Sequence, residues 1–162
     1  EYYSILEDTL LGAFLWPWDR SERKKAHPKF YFFDCGVVRA IQNRLVDPPT
    51  PEEKGFLFET WFVGELTRCR DYLAKPHDFV FWREGPHEID FLVMRGPKPV
   101  LAFECKTGRE QLSASTLAAF RKRFPGVPLA LVSIHDQSAR RLDSGIEVLP
   151  WRKALDLYRK LP

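Results

Sequence analysis

Between Phe79 and Lys106 three apolar runs follow one another, "FVFWR", "EIDFLVM" and "VLAFECK", separated only by "EGPH" and "RGPKP". Strands that pair in parallel need a connection of a dozen or more residues, so linkers this short leave only an antiparallel meander. The predicted strands are Phe79–Arg83, Glu88–Met94 and Val100–Lys106. The rest of the chain has to pack around that sheet.

The clearest helix start lies just before it, in "DPPTPEEKG". Thr50, Pro51, Glu52 and Glu53 make a capping box with proline at the first helical position. The helix is predicted to run to about Leu73, with Phe58, Phe62, Leu66, Cys69 and Leu73 as its buried stripe and Glu59 at the stripe's edge. After the meander, "SASTLAAFRKRF" reads as a helix with Leu117, Phe120 and Phe124 inward, and "VPLALVSI" as an apolar strand. Strand, helix, strand in that order favours a right-handed crossover and a parallel pair. "GIEVLP" is a last short strand, and a terminal helix buries Trp151, Leu155 and Tyr158. The expected fold class is α/β, a mixed sheet sandwiched by helices.

Upstream, residues 3–11 read as a helix with Tyr3, Leu6 and Leu10 on one face. "AFLWPWDRSERKKAHPKFYFFD" reads as two strands joined by a basic loop, Asp19 to Pro28, and Asp34 can cap a short helix from Cys35 to Leu45. Helix, hairpin with a basic tip, then helix is how the end of a winged-helix domain looks; a plain surface hairpin looks the same. The expected division is a 1–47 segment of this kind and a 48–162 domain.

The chain is long enough to bury roughly 70% of the surface its unfolded form exposes, so it needs neither disulfide nor metal to fold. An apolar content of 44% excludes a disordered chain. Cys35, Cys69 and Cys105 form no metal spacing, and the four histidines form none either; unpaired thiols suit a cytoplasmic protein. No apolar run reaches about 18 residues, so no membrane span is expected. The chain opens on Glu1 and its one methionine is Met94, so a fragment or processed product is expected. A net charge of +3 does not by itself mark a nucleic-acid binder. The basic clusters at Arg20 to Lys25, Arg68 with Arg70, Arg121 to Arg123, and Arg140 with Arg141 each read as readily as solvated surface.

Charge punctuates the meander. Asp90 sits early in its second strand, and Glu104 and Lys106 close its third on one shared face. If Met94 pairs with Pro99, Asp90 falls opposite Phe103; if it pairs with Val100, Asp90 falls opposite Glu104. Two carboxylates side by side between apolar strands are tolerable when a cation lies between them. Glu59 can supply a third oxygen ligand, and such a set suits magnesium or manganese. Lys106 would then point to a phosphate or an attacking water. A surface ladder of salt bridges would use the same residue types.

"DFLV" followed by "FECKTG", after a helix bearing Glu59, resembles the PD-(D/E)xK nuclease superfamily, the restriction-endonuclease-like fold. The elements from Thr50 to Ile134 match the helix, three strands, helix and strand of its core. "YYSILEDTLLGAFL", "PKFYFFDCGVVRAI", "GFLFETWFVGEL", "EIDFLV" and "FECKTG" together resemble the C-terminal region of bacterial and archaeal AAA-type ATPases, where a winged-helix segment and a nuclease-like domain of unknown function follow the ATPase. The resemblance implies Glu59, Asp90 and Glu104 as metal ligands and Lys106 as the catalytic lysine. Ile89 stands where the superfamily's proline would be, a residue it often lacks. The fold also hosts modules that do not cleave.

The function expected is a magnesium- or manganese-dependent phosphodiesterase acting on DNA, with Asp90, Glu104 and Lys106 catalytic and Glu59, Asp90, Glu104 and the Cys105 carbonyl on the metal. The alternative is a non-cleaving module that binds nucleic acid or protein and regulates the ATPase. A third class is a homo-oligomerisation domain. Lower-ranked candidates are His87, Glu88, Thr107 and Gln111.

Overall fold

Both turns of the meander are closed by glycine at a backbone angle that other residues adopt only under strain. Gly85 and Gly96 have φ of +56° and +58° and each precedes a proline. Positive φ at the first central residue is what a two-residue II′ hairpin turn requires. The turns join β3 (Asp78–Glu84) to β4 (His87–Arg95) and β4 to β5 (Lys98–Lys106). The computed structural model describes residues 2–19, 27–108 and 112–162.

Two bulges decide where the charges fall. The turn seats Met94 on Pro99, the register that would bring Asp90 opposite Phe103. Val93 nevertheless pairs with Leu101, so Val100 is an extra residue on β5 and the ladder ends at Phe91 with Phe103. Continued by one residue, that register brings Asp90 alongside Glu104. On the other side of β4, Val80 pairs with Leu92 and Trp82 with Ile89, so Phe81 faces both Asp90 and Phe91. A bulge of this kind re-aims the side chain it carries.

Eight strands form one mixed sheet in the order β2-β1-β3-β4-β5-β6-β8-β7. β1 (Gly12–Pro17) and β2 (Lys29–Phe32) form the antiparallel hairpin, and β1 lies parallel to β3 through Trp16 with Val80 and Pro17 with Phe81. The N-terminal hairpin thus extends the meander's own sheet. β6 (Leu129–Ser133) runs parallel to β5, as the crossover requires. β8 (Glu147–Pro150) runs parallel to β6, and β7 (Arg140–Arg141), which the sequence did not announce, closes the far edge.

The helices are α1 (Tyr2–Asp8), α2 (Cys35–Ile41), α3 (Pro51–Tyr72), α4 (Ala114–Arg123) and α5 (Trp151–Arg159). α3 and α5 cover one sheet face with Phe58, Phe62, Leu66, Ala154, Leu155 and Tyr158 against Phe81, Phe91, Leu101, Phe103 and Val132. α4 covers the other through Phe120, with Phe124 at its C-cap, against Val80, Trp82, Ile89 and Ala102.

The Thr50 capping box forms: Thr50 Oγ1 accepts the Glu53 N–H at 3.2 Å, and Glu53 Oε2 accepts the Thr50 N–H at 3.3 Å. Glu53 also pairs with Arg39 at 2.6 Å, tying α2 to the start of α3. Four expectations need correction. The helix expected over residues 3–11 ends at Asp8, and Leu10, with φ of 60°, is exposed rather than on its apolar face. Leu73 is the C-cap, 51% exposed, because the chain leaves the helix at Ala74, whose φ is 48°; Thr60 joins the buried face instead. The helix expected to reach Leu45 stops at Ile41, with Asn43 at φ 55°. Trp151 is half-buried rather than core, edge-on to Trp61 at 4.9 Å. Of the basic loop, residues 20–26 lie outside the described residues, as does Gln111. Cys35, Cys69 and Cys105 are free thiols. Among the described residues no helix is long and apolar enough to cross a membrane.

Candidate functional site

β4 and β5 part after the Phe91–Phe103 pair, because β4 stays with β3 and β5 stays with β6. The backbone groups freed at the parting need partners. Two acids supply them reciprocally. Asp90 N–H donates to Glu104 Oε2 at 3.2 Å, and Cys105 N–H donates to Asp90 Oδ2 at 2.9 Å. Both acids are buried, at 6% and 7% exposure. The structure therefore brings Asp90 and Glu104 together. Lys106 joins them, its ammonium 3.0 Å from Glu104 Oε1.

Glu59 approaches from α3 by a different route. Its Oε2 accepts the Tyr31 hydroxyl at 3.0 Å and lies 3.6 Å from the Lys29 ammonium. The same ammonium lies 2.6 Å from Glu88 Oε1 and 3.5 Å from Asp90 Oδ1. Lys29 thus gathers three carboxylates, and Asp90 belongs to both halves of the site. The cation among Glu59, Glu88 and Asp90 is a lysine from the N-terminal hairpin, which sequence reasoning missed along with Tyr31. Their spacing on "KFYF" did put both on one face of a strand. Nothing in it said that this strand would lie beside Asp90.

Electrostatics follow burial. Desolvation, then the charge of Asp90, pushes Glu104 up to about 8, against Lys106 and the Asp90 N–H. Desolvation likewise raises Asp90 against the pull of Lys29, and raises Glu59 with Asp90's charge adding to it. Glu88 goes the other way: burial works against its charge, but Lys29 and Arg83 win and its carboxyl is lowered. For Lys29, burial opposes the charge while Asp90, Glu59 and Glu88 more than offset it, so its ammonium is held well above the ordinary lysine range. Cys105 packs against the α3-side core, and burial, then Asp90, drives its thiol up. His87 opens β4, with Nδ1 3.1 Å from Thr116 Oγ1, and is not part of the acid cluster.

The sign for Glu104 is definite. A carboxyl raised from 4.5 to about 8 on folding gives stability that is full below the unfolded value and lost as pH rises through the folded one. The metal-free domain should lose denaturant resistance between about pH 5 and 8. Glu104→Gln should remove most of that slope. An identical slope in the two proteins would assign the titration elsewhere.

The donor chemistry suits a hard divalent cation. Asp90 and Glu104 are buried acids held together at a cost that a cation would relieve, and magnesium commonly uses one or two carboxylates with water and phosphate. Among the described residues no three His, Cys, Asp or Glu side chains stand gathered as a ready metal site. Glu59 faces Lys29 instead.

A groove of about 870 Å³ opens at the β3–β4 turn, and among the described residues only Phe81 and Arg83 of its lining touch side chains of the acid cluster. Trp18, Arg83, His87, Lys122 and Arg123 line it. The Arg123 guanidinium stacks on Trp18 at 4.5 Å, and Arg83 reaches back to Glu88.

Residues 54–154 match the family model described as "Domain of unknown function (DUF4143)". No curated protein and no solved structure matches.

Proposed function

The chain belongs to the DUF4143 family, a domain of unknown function, and from that premise we propose that it is a divalent-metal-dependent phosphodiesterase acting on DNA. In this reading α3 to β6 are a restriction-endonuclease-like core of the PD-(D/E)xK kind. The N-terminal helix, hairpin and helix are the end of a winged helix, and the whole is the C-terminal part of an AAA-type ATPase. The observation that carries the reading is the pair of buried carboxylates, Asp90 and Glu104, clasped at the parting of β4 and β5 with Lys106 beside them.

Asp90, Glu104 and the Cys105 carbonyl would hold magnesium or manganese. Such an ion neutralises phosphate oxygens and makes a water more acidic. Glu104 gives up its proton on loading, so affinity should rise toward pH 8. Lys106, paired with Glu104, would donate to a phosphate oxygen or to the attacking water, and its charge would stabilise the negative charge that builds on the phosphoryl oxygens. Asp90, through its second oxygen, stays anchored to the hairpin by Lys29.

The groove suits a nucleic-acid strand, since Lys122 and Arg123 on its wall offer charge for phosphates. Replacing Lys122 and Arg123 by alanine should weaken DNA binding for all sequences. It should also flatten the slope of log K against log salt by about 1.5. An unchanged slope would move the strand to another surface.

A second reading, a non-cleaving module that binds nucleic acid or protein and regulates the ATPase, is favoured by the engagement of Glu59 with Lys29 and Tyr31. Incubation with plasmid and single-stranded DNA, in magnesium, manganese or chelator, decides between them. Metal-dependent nicking supports the nuclease; binding without cutting in either metal assigns the module.

A further inference from the structure

Lys29 is the first residue of β2, and its side chain crosses the Phe81 ring, 5.5 Å from its centroid, to reach the acids. It is only 21% exposed, and it faces Glu88, Asp90 and Glu59 at 2.6, 3.5 and 3.6 Å. A surface lysine does not need three carboxylates. An ammonium gathered this way occupies the position that a cation bound by those carboxylates would take. Tyr31, two residues on, fixes the far acid by its hydrogen bond to Glu59.

Charge balance points the same way. Among the described residues, Glu59, Glu88, Asp90 and Glu104, even if all gave up their protons, would face Lys29, Arg83 and Lys106. One divalent ion is enough to turn that site positive. A second would have to enter against the Lys29 ammonium.

We propose that Lys29 is a tethered cation that takes the place of one metal ion, so that the site binds a single divalent ion, between Asp90 and Glu104, while Glu59 and Glu88 hold the lysine. This rests on the metal-site reading above and makes Glu59 a positioning residue for Lys29 rather than a metal ligand. It also makes the N-terminal hairpin a working part of the site.

The test is a count of manganese ions bound per chain, read from the electron paramagnetic resonance signal of free Mn²⁺ during titration. The parent should bind one, and Asp90→Asn should lose it. Lys29→Met removes the ammonium and should bind two. Lys29→Arg keeps the charge and should bind one. Two ions on the parent, or one ion on a folded Lys29→Met, overturns the tethered-cation role while leaving the metal site standing. No ion on any of the proteins sinks the metal-site reading, and the inference with it. Should Lys29→Met not fold, the parent count still decides, since two ions there exclude a lysine in the second position.

Discussion

Asp90→Asn should abolish metal-dependent cleavage while leaving the metal-free domain at least as stable as the parent. The carboxylate is buried, desolvation raises it, and Glu88 adds repulsion. Asparagine keeps an oxygen for the Cys105 N–H, and Lys29 retains Glu59 and Glu88. What is lost is charge where a metal would bind. Metal-ion catalysis contributes several kcal/mol, so a fall of about 10³-fold or more in cleavage is expected. Stabilisation by manganese, a mass-action effect, should shrink in parallel, while DNA binding stays near the parent's. Cleavage assays, thermal unfolding with and without metal, and a DNA titration check the three parts. A variant that loses stability, with metal mattering to neither protein, would reduce Asp90 to a salt-bridge partner of Lys29.

Phe62→Ala should cost about 3–5 kcal/mol. The ring has no exposure, meets Phe103 edge-on at 5.4 Å and lies 6.0 Å from Phe91. Those two phenylalanines form the last pair before the strands part, so the ring props the junction from which Asp90 and Glu104 emerge. Domains of this size are stable by about 5–15 kcal/mol, and the loss would consume much of that. Denaturant unfolding measures it; a change under about 1 kcal/mol would mean that α3 repacks over the gap. Phe62 is four residues from Phe58 on the face of α3 against the sheet, and Glu59 lies on the same helix. A variant that still folds should therefore bind Lys29 less firmly.

Local chemistry was legible in the chain. The capping box started α3 where expected, glycine-proline pairs closed both turns, and apolar runs gave β3 to β6 and α4. Each signal is a property of a few adjacent residues, and so can be read without knowing the neighbours. Asp90, Glu104 and Lys106 were visible as charge between apolar runs and do come together. Leu73 was misjudged because periodicity does not mark where a helix stops facing its sheet.

By itself, then, the sequence determined most of the elements, their antiparallel meander and five members of the candidate site, Glu59, Glu88, Asp90, Glu104 and Lys106. Tertiary structure alone decided how the rest met them. The hairpin turn favours one register and the bulge at Val100 restores the other, a choice settled by which face of each strand the two helical layers bury. The parallel seam of β1 on β3 carries Lys29 and Tyr31 to acids 28 to 61 positions away in the chain. Strand pairing at that separation depends on which edge is free and which core closes over it, not on residues near Lys29. That contact placed an ammonium among Glu59, Glu88 and Asp90, beside the Asp90–Glu104 pair.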